Sequence, residues 1–309
     1  MDILLQQIVN GLVAGSIYAL VALGYTMVYG ILGLINFAHG EVVMFGAMIA
    51  LAVIQALVGA GIALPPAVII GLGLLAAIPS CMLLGFAIER IAYRPLRHAP
   101  RLAPLITAIG MSIVLQNVAM IIWGRRYITF PALLPPGLHQ FGSVVVTDLQ
   151  IFIVLLALLL MAGLEWLVQR TSLGRAMRAT SQNREIAGLM GININTVISA
   201  TFIIGSALAA VAGVMVSAYY GIAHYYMGFM LGLKAFTAAV LGGIGNLRGA
   251  MLGGVLLGLI ESLGAGYIGD LTGGVFGSNY QDVFAFFVLI LVLVFRPSGL
   301  LGERLADRA

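Results

Sequence analysis

Uninterrupted apolar runs, most of them close to the roughly 20 residues that a helix needs to cross a bilayer, set the terms for this chain. They lie at 8–29, 41–58, 66–87, 104–123, 150–168, 196–217, 229–243, 250–264 and 282–295. Polar and apolar positions do not alternate within them, so they read as helices and not as barrel strands. Charge agrees with this. Only 8% of the 309 residues are charged and 61% are hydrophobic, whereas a soluble domain carries roughly 25% charged residues. The expected fold is an all-α polytopic membrane protein of about 8–9 transmembrane helices, a single transmembrane domain over 1–309 with lipid as its main solvent.

In such a chain the net charge of +4 does not indicate a nucleic-acid partner; what matters is where the arginines fall, because Lys and Arg are retained on the cytoplasmic side. That rule places three segments in the cytoplasm: the loop 89–101 (Arg90, Arg94, Arg97, His98, Arg101), the stretch 170–193, and the tail 296–309 with Arg296, Arg304 and Arg308. Counting back puts the N-terminus outside. Arg125 and Arg126 then lie outside as a local exception. A lone cysteine, Cys81, excludes an intramolecular disulfide and a cysteine-based metal site. The start Met1-Asp2 lacks the basic region and cleavage pattern of a signal peptide, so the first run is expected to be retained as a span.

Two glycine-rich breaks interrupt the apolar pattern, and they echo each other. Gly33, Asn36 and Phe37 in the first align with Gly243, Asn246 and Leu247 in the second, and a glycine follows soon after in each, Gly40 and Gly249. Such an echo suggests an internal repeat, inverted or parallel, although glycine-rich runs also match by chance. Interrupted helices in matching halves point to a solute path, because freed backbone groups and helix N-termini can face a solute there. Asn36, His39, Gly40, Glu41, Asn246 and Gly249 are the candidates for that path. Plainer roles compete. Glu41 stands in a first helical turn, where the helix dipole favours an acid, and Asn36 and Asn246 suit turns or caps. His39 has no companion at ligand spacing, and no metal site is expected. Lys234, the only lysine, either pairs with Glu261 or reaches for an interface. Small residues at Gly11 and Gly15, and at Gly205, Ala209, Gly213 and Ser217, mark helix-packing faces.

No catalytic or nucleotide-binding motif is present: there is no GxSxG, no HExxH and no GxxxxGK[ST]. The chain is read as no enzyme and as binding no cofactor itself; any ATP and Mg would be used by other polypeptides. The stretch 170–193 is the longest polar interruption. Arg170, Arg175, Arg178 and Arg184 stand there against Glu185 alone. Its composition predicts one helix from about Arg175 to Met190, with Ala179, Ile186, Leu189 and Met190 as a docking face. It is either a lever for an external ATPase or an amphipathic helix resting on lipid headgroups.

Seven motifs then carry a resemblance: ALGY at 22–25, TMVYG at 26–30, INFAHGE at 35–41, ERIAYRP at 89–95, AIGMSI at 108–113, GRAMRA at 174–179 and KAFTAAVLGGIG at 234–245. Together they resemble, over nearly the whole chain, the permease subunits of bacterial branched-chain amino-acid ABC importers, specifically the first of their two permeases. The resemblance implies a multi-pass protein of the bacterial inner membrane that passes leucine, isoleucine or valine. It implies as partners a second, similar permease, two cytoplasmic ATPases and a periplasmic binding protein. It also matches 170–193 to the family's ATPase-contacting loop, which makes Gly174, Arg175, Arg178, Glu185 and Gly191 the coupling candidates. Gln182 and Asn183 replace a more usual acidic residue, and Arg248 replaces a small residue or proline. The rival readings are a urea or short-chain amide importer permease, a secondary transporter using Glu41 or Glu261, and a passive channel.

Overall fold

The computed structural model describes residues 2–61, 64–97, 99–100, 102–131, 137–275, 277 and 280–302. Of the positions singled out above, His98, Arg101, Arg304 and Arg308 lie outside the described residues. The apolar runs all become helices: α1 (Asp2–Leu32), α2 (His39–Gly59), α3 (Pro66–Ile88), α4 (Leu102–Trp123), α5 (Asp148–Arg170), α8 (Ile194–Tyr220), α9 (Met227–Gly242), α10 (Leu247–Leu271) and α11 (Gln281–Phe295). Among the described residues seven of these are long and apolar enough to cross a membrane, and α9 and α11 are shorter apolar helices. The protein is an all-α polytopic membrane protein. A π-helical turn, Glu89–Tyr93, prolongs α3 into the basic loop.

The stretch 170–193 does not form one helix. It forms α6 (Ser172–Gln182) and α7 (Arg184–Leu189), divided at Asn183. Asn183 is extended, at φ −156°, and its side chain accepts a hydrogen bond from the Ile186 amide. An asparagine in that position starts a new helix, because its oxygen satisfies an amide that would otherwise lack a partner. Helix propensity alone, summed across Gln182 and Asn183, conceals that stop.

Small strands occur only outside the apolar runs. β2 (Leu138–Phe141) and β3 (Val144–Thr147) form an antiparallel hairpin, and β1 (Ile128–Thr129) pairs with β4 (Ile222–Ala223). The run of β-branched residues at 144–147 suits a strand. At its end, Thr147 accepts from the Gln150 amide while Gln150 Oε1 accepts from the Thr147 amide. This reciprocal pair fixes the start of α5.

The chain divides into two compact units, with boundaries inside α1, α5 and α9 and one between residues 135 and 136. The first comprises Met1–Thr26, Pro136–Met161 and Lys234–Ala309; the second comprises Met27–Pro135 and Ala162–Leu233. In the first unit α1 lies directly on α10. A Cβ at Gly15 would fall 2.8 Å from the Val255 Cα, and Gly258 and Gly254 meet the backbones of Gly15 and Ala19. The pair Gly11 and Gly15 thus forms a helix-packing face, as its spacing predicts. In the second unit α2, α3 and α8 form the core. Gly46 abuts the Ala210 backbone and Gly213 that of Val43, while Gly85 lies against Ser206. The stripe on α8 is buried throughout.

Lipid supplies no hydrophobic drive between helices, so close backbone packing must hold them. Adding a side chain at such a contact forces the helices apart, at a cost of about 1–3 kcal/mol. Gly15→Leu is therefore expected to lower the thermal unfolding temperature of the purified protein in detergent, whereas Gly71→Leu, which meets nothing within 4 Å, should leave it unchanged.

Candidate functional site

The candidate coupling residues of the second unit gather at the ends of α5, α6 and α7. Thr171 caps α6 by accepting from the Gly174 amide, and Gly174 is pressed against the carbonyls of Leu167 and Val168. Any larger residue there would lever α6 off the end of α5. Arg178 Nη1 donates to the Val168 carbonyl at 2.8 Å and to Gln169 Oε1 at 3.0 Å. It closes the C-terminus of α5, where a cation is also favoured by the helix dipole. Arg175 and Glu185 are exposed. Gly191 takes φ +84° while the Ile192 amide donates to the Ala187 carbonyl. That is the left-handed C-terminal cap glycine favours. On α7, Ala187 is buried while Ile186 and Leu189 are exposed, as is Met190 just beyond its end.

Behind this surface lies a polar layer. Glu89 is fully buried in the π-helical turn. Its carboxylate accepts from the Arg97 guanidinium and, at 2.7 Å, from the Ser199 hydroxyl. Arg97 reaches on to Asn195 Oδ1 at 2.6 Å. The loop 89–97 and the start of α8 are thereby joined. Partial burial, and secondarily the nearby Arg97, lower the pKa of Arg184 from its ordinary value.

The first break spans 33–38, between α1 and α2. Asn36, His39, Gly40 and Glu41 are all buried there. Asn36 Oδ1 accepts from the Tyr93 hydroxyl at 3.0 Å. Gly40 lies against the backbones of Gly228 and Gly232. Glu41 Oε1 accepts from Ser112 at 2.9 Å and from Gln116 at 2.8 Å, both on α4, and its Oε2 faces Gly228. Glu41 is thus more than an acid in a first turn, since it ties α2 to α4. Ser112 lies in the AIGMSI motif at 108–113, and its i,i+4 spacing to Gln116, another polar residue of the same apolar run, was the further clue to its role.

In the first unit the second break spans 243–246, between α9 and α10. Asn246 Oδ1 accepts from the Gly249 amide, the cap its residue type suggests, and its amide group donates to the Leu301 carbonyl. Gly249 packs on Gly242. The Leu300 and Leu301 amides donate to the carbonyls of Leu241 and Gly242. The first break is thus held by the loop 89–97, and the second by residues 300–301. Lys234 does pair with Glu261, at 2.7 Å, and also with Asp282 at 2.7 Å. Asp282, at the start of the last apolar run, was not foreseen as its partner.

The family described as branched-chain amino acid transport system / permease component matches residues 7–293. The chain belongs to that family. This permease is 50% identical over 303 residues to the high-affinity branched-chain amino acid transport system permease protein BraD of Pseudomonas aeruginosa, covering 97% of this chain and 96% of the relative. It is 45% identical, with the same coverage, to the corresponding permease protein LivH of Escherichia coli. A probable branched-chain amino acid transport permease protein of Methanocaldococcus jannaschii is 27% identical across 95% of this chain and 91% of its own length.

Breaking a buried ion pair from one side strands the other charge, at a cost of about 3–5 kcal/mol. Arg97→Ala is expected to reduce the folded yield of the permease sharply, since the Arg97 and Glu89 side chains are only 11% and 0% exposed. The double variant Arg97→Ala/Glu89→Gln should recover part of that yield, as measured by size-exclusion chromatography of the detergent-solubilised protein.

Proposed function

We propose that this permease forms part of the membrane path of an ATP-driven importer of branched-chain amino acids, seated in the bacterial cytoplasmic membrane. The observation that carries this reading is the 50% identity over 97% of the chain to a permease of such a transport system. The fold agrees, with its many apolar helices and two interrupted helix pairs. The chain supplies the path while two cytoplasmic ATPase subunits bind ATP and Mg, a second, similar permease completes the membrane part, and a periplasmic binding protein delivers leucine, isoleucine or valine. In this reading the residues at the two breaks, Asn36, His39, Gly40, Glu41, Asn246 and Gly249, are the candidates for the solute path, because interrupted helices can expose backbone groups to a solute.

The coupling surface is the outer side of α6 and α7. Exposed apolar residues grouped on an extramembrane helix are suited to a protein partner, and Ile186, Leu189 and Met190 form such a group, with Arg175 and Glu185 exposed beside them. The glycines Gly174 and Gly191 and the Arg178 cap serve this surface by fixing its shape. Arg178 therefore makes a poor probe of docking, because changing it also opens the end of α5.

A sharper probe is Leu189→Glu/Met190→Glu. Both side chains point away from the permease, so folding should be preserved while the ATPase subunits are lost on co-purification. Retention of those subunits at wild-type amounts overturns the surface assignment. The importer reading itself is tested in liposomes containing all subunits. Leucine uptake should require ATP and the binding protein; uptake driven by a proton gradient without ATP would favour the secondary-transporter reading, and urea uptake in place of leucine the amide-importer reading.

A further inference from the structure

The coupling surface and the first break are joined by one side chain. Arg184, the first residue of α7, donates from Nε at 3.0 Å and from Nη2 at 2.6 Å to a single acceptor, the carbonyl of Ile31. Ile31 is the penultimate residue of α1, two positions before Gly33, which takes φ +62° and turns the chain into the break. Carbonyls in the last turn of a helix have no partner within it. Here the partner comes from 153 residues further along the chain. The far side of the same break is held by Tyr93, through Asn36. Of these two attachments only the one through Arg184 originates in the α6–α7 segment.

We propose that Arg184 is a positioning residue for transport: it transmits displacement of α7 to the first break by holding the end of α1. The inference rests on the coupling surface proposed above. The geometry suits the task. α7 is a single short helix that presents Leu189 and Met190 outward and Arg184 inward. Asn183 and Gly191 bound it at either end, so it can shift as a unit while α6 and α8 keep their own caps. Two donors of one planar guanidinium on the same oxygen hold it more firmly than a single donor would, and the fork is pre-organised for this. The end of α1 moves with α7. Six residues separate that end from His39, at the start of α2. Glu41, in the first turn of α2, and its bonds to Ser112 and Gln116 on α4 lie next in line.

The test uses the complete importer in liposomes and compares wild type, Arg184→Gln and Arg184→Lys. Three quantities are read: ATPase subunits retained on the permease, ATP hydrolysis, and leucine taken up per ATP. Arg184→Gln should retain its ATPases and hydrolyse ATP within about twofold of wild type, while leucine per ATP falls about tenfold, a size usual for coupling between two sites. Arg184→Lys, which keeps the charge but not the fork, should fall between the two. Uptake and hydrolysis that decline in proportion, or an unchanged ratio in Arg184→Gln, overturn the proposal, since an ordinary helix cap would act on folding or assembly and leave the ratio alone. If Arg184→Gln does not accumulate, Arg184→Lys decides. A ratio about two- to fivefold below wild type sustains the proposal and a wild-type ratio overturns it. A wild-type permease that binds no ATPase overturns the coupling surface itself, and is recognised before any variant is compared.

Discussion

Everything in this protein depends on helices whose backbones touch. A bilayer does not drive apolar helices together as water does, so their association draws on dispersion contacts that fade with distance. Glycine and alanine are placed where two helices cross: Gly15 and Gly258 in one unit, Gly46 and Ala210 or Gly40 and Gly228 in the other. The same small residues that bring helices close also leave little for a side chain to interlock. Crossings of this kind can hold firmly and still slide, which is what a transport path asks of its walls.

Much of the polar chemistry lies where helices end. Arg178 closes α5, Arg184 closes α1, Asn246 opens α10, and Glu89 with Arg97 binds the π-helical turn to α8. A π turn widens a helix by one residue and is found often at functional positions. Here it carries Glu89 inward and brings the Tyr93 hydroxyl to Asn36. Some of the arginines from which the sequence argues orientation are thus also structural. Arg178 and Arg184 are fastened to helix carbonyls.

The spans, the breaks and the packing faces were legible because each follows from a local rule: run length, glycine content, or small residues at a spacing of four. The Lys234–Glu261 pair was legible because one isolated cation in an apolar sequence needs an acid. The division of 170–193 was not, because helix propensity sums over many residues while Asn183 acts through one side-chain oxygen on one amide. The ties from Arg184 to Ile31 and from Glu41 to Ser112 were hidden for a different reason. Their partners are distant in sequence, and the carbonyl of Ile31 leaves no trace in the residue type at all.

The ion cluster in the first unit has a practical side. Lys234 is the chain's single lysine, and it is held between Glu261 and Asp282 with its side chain only 14% exposed. The permease therefore offers the surrounding solution almost no side-chain amine. Reagents that join proteins through lysines would stitch the other members of an assembled importer to one another and pass this subunit by, so its neighbours are better mapped through carboxylates or through cysteines introduced at Leu189 and Met190.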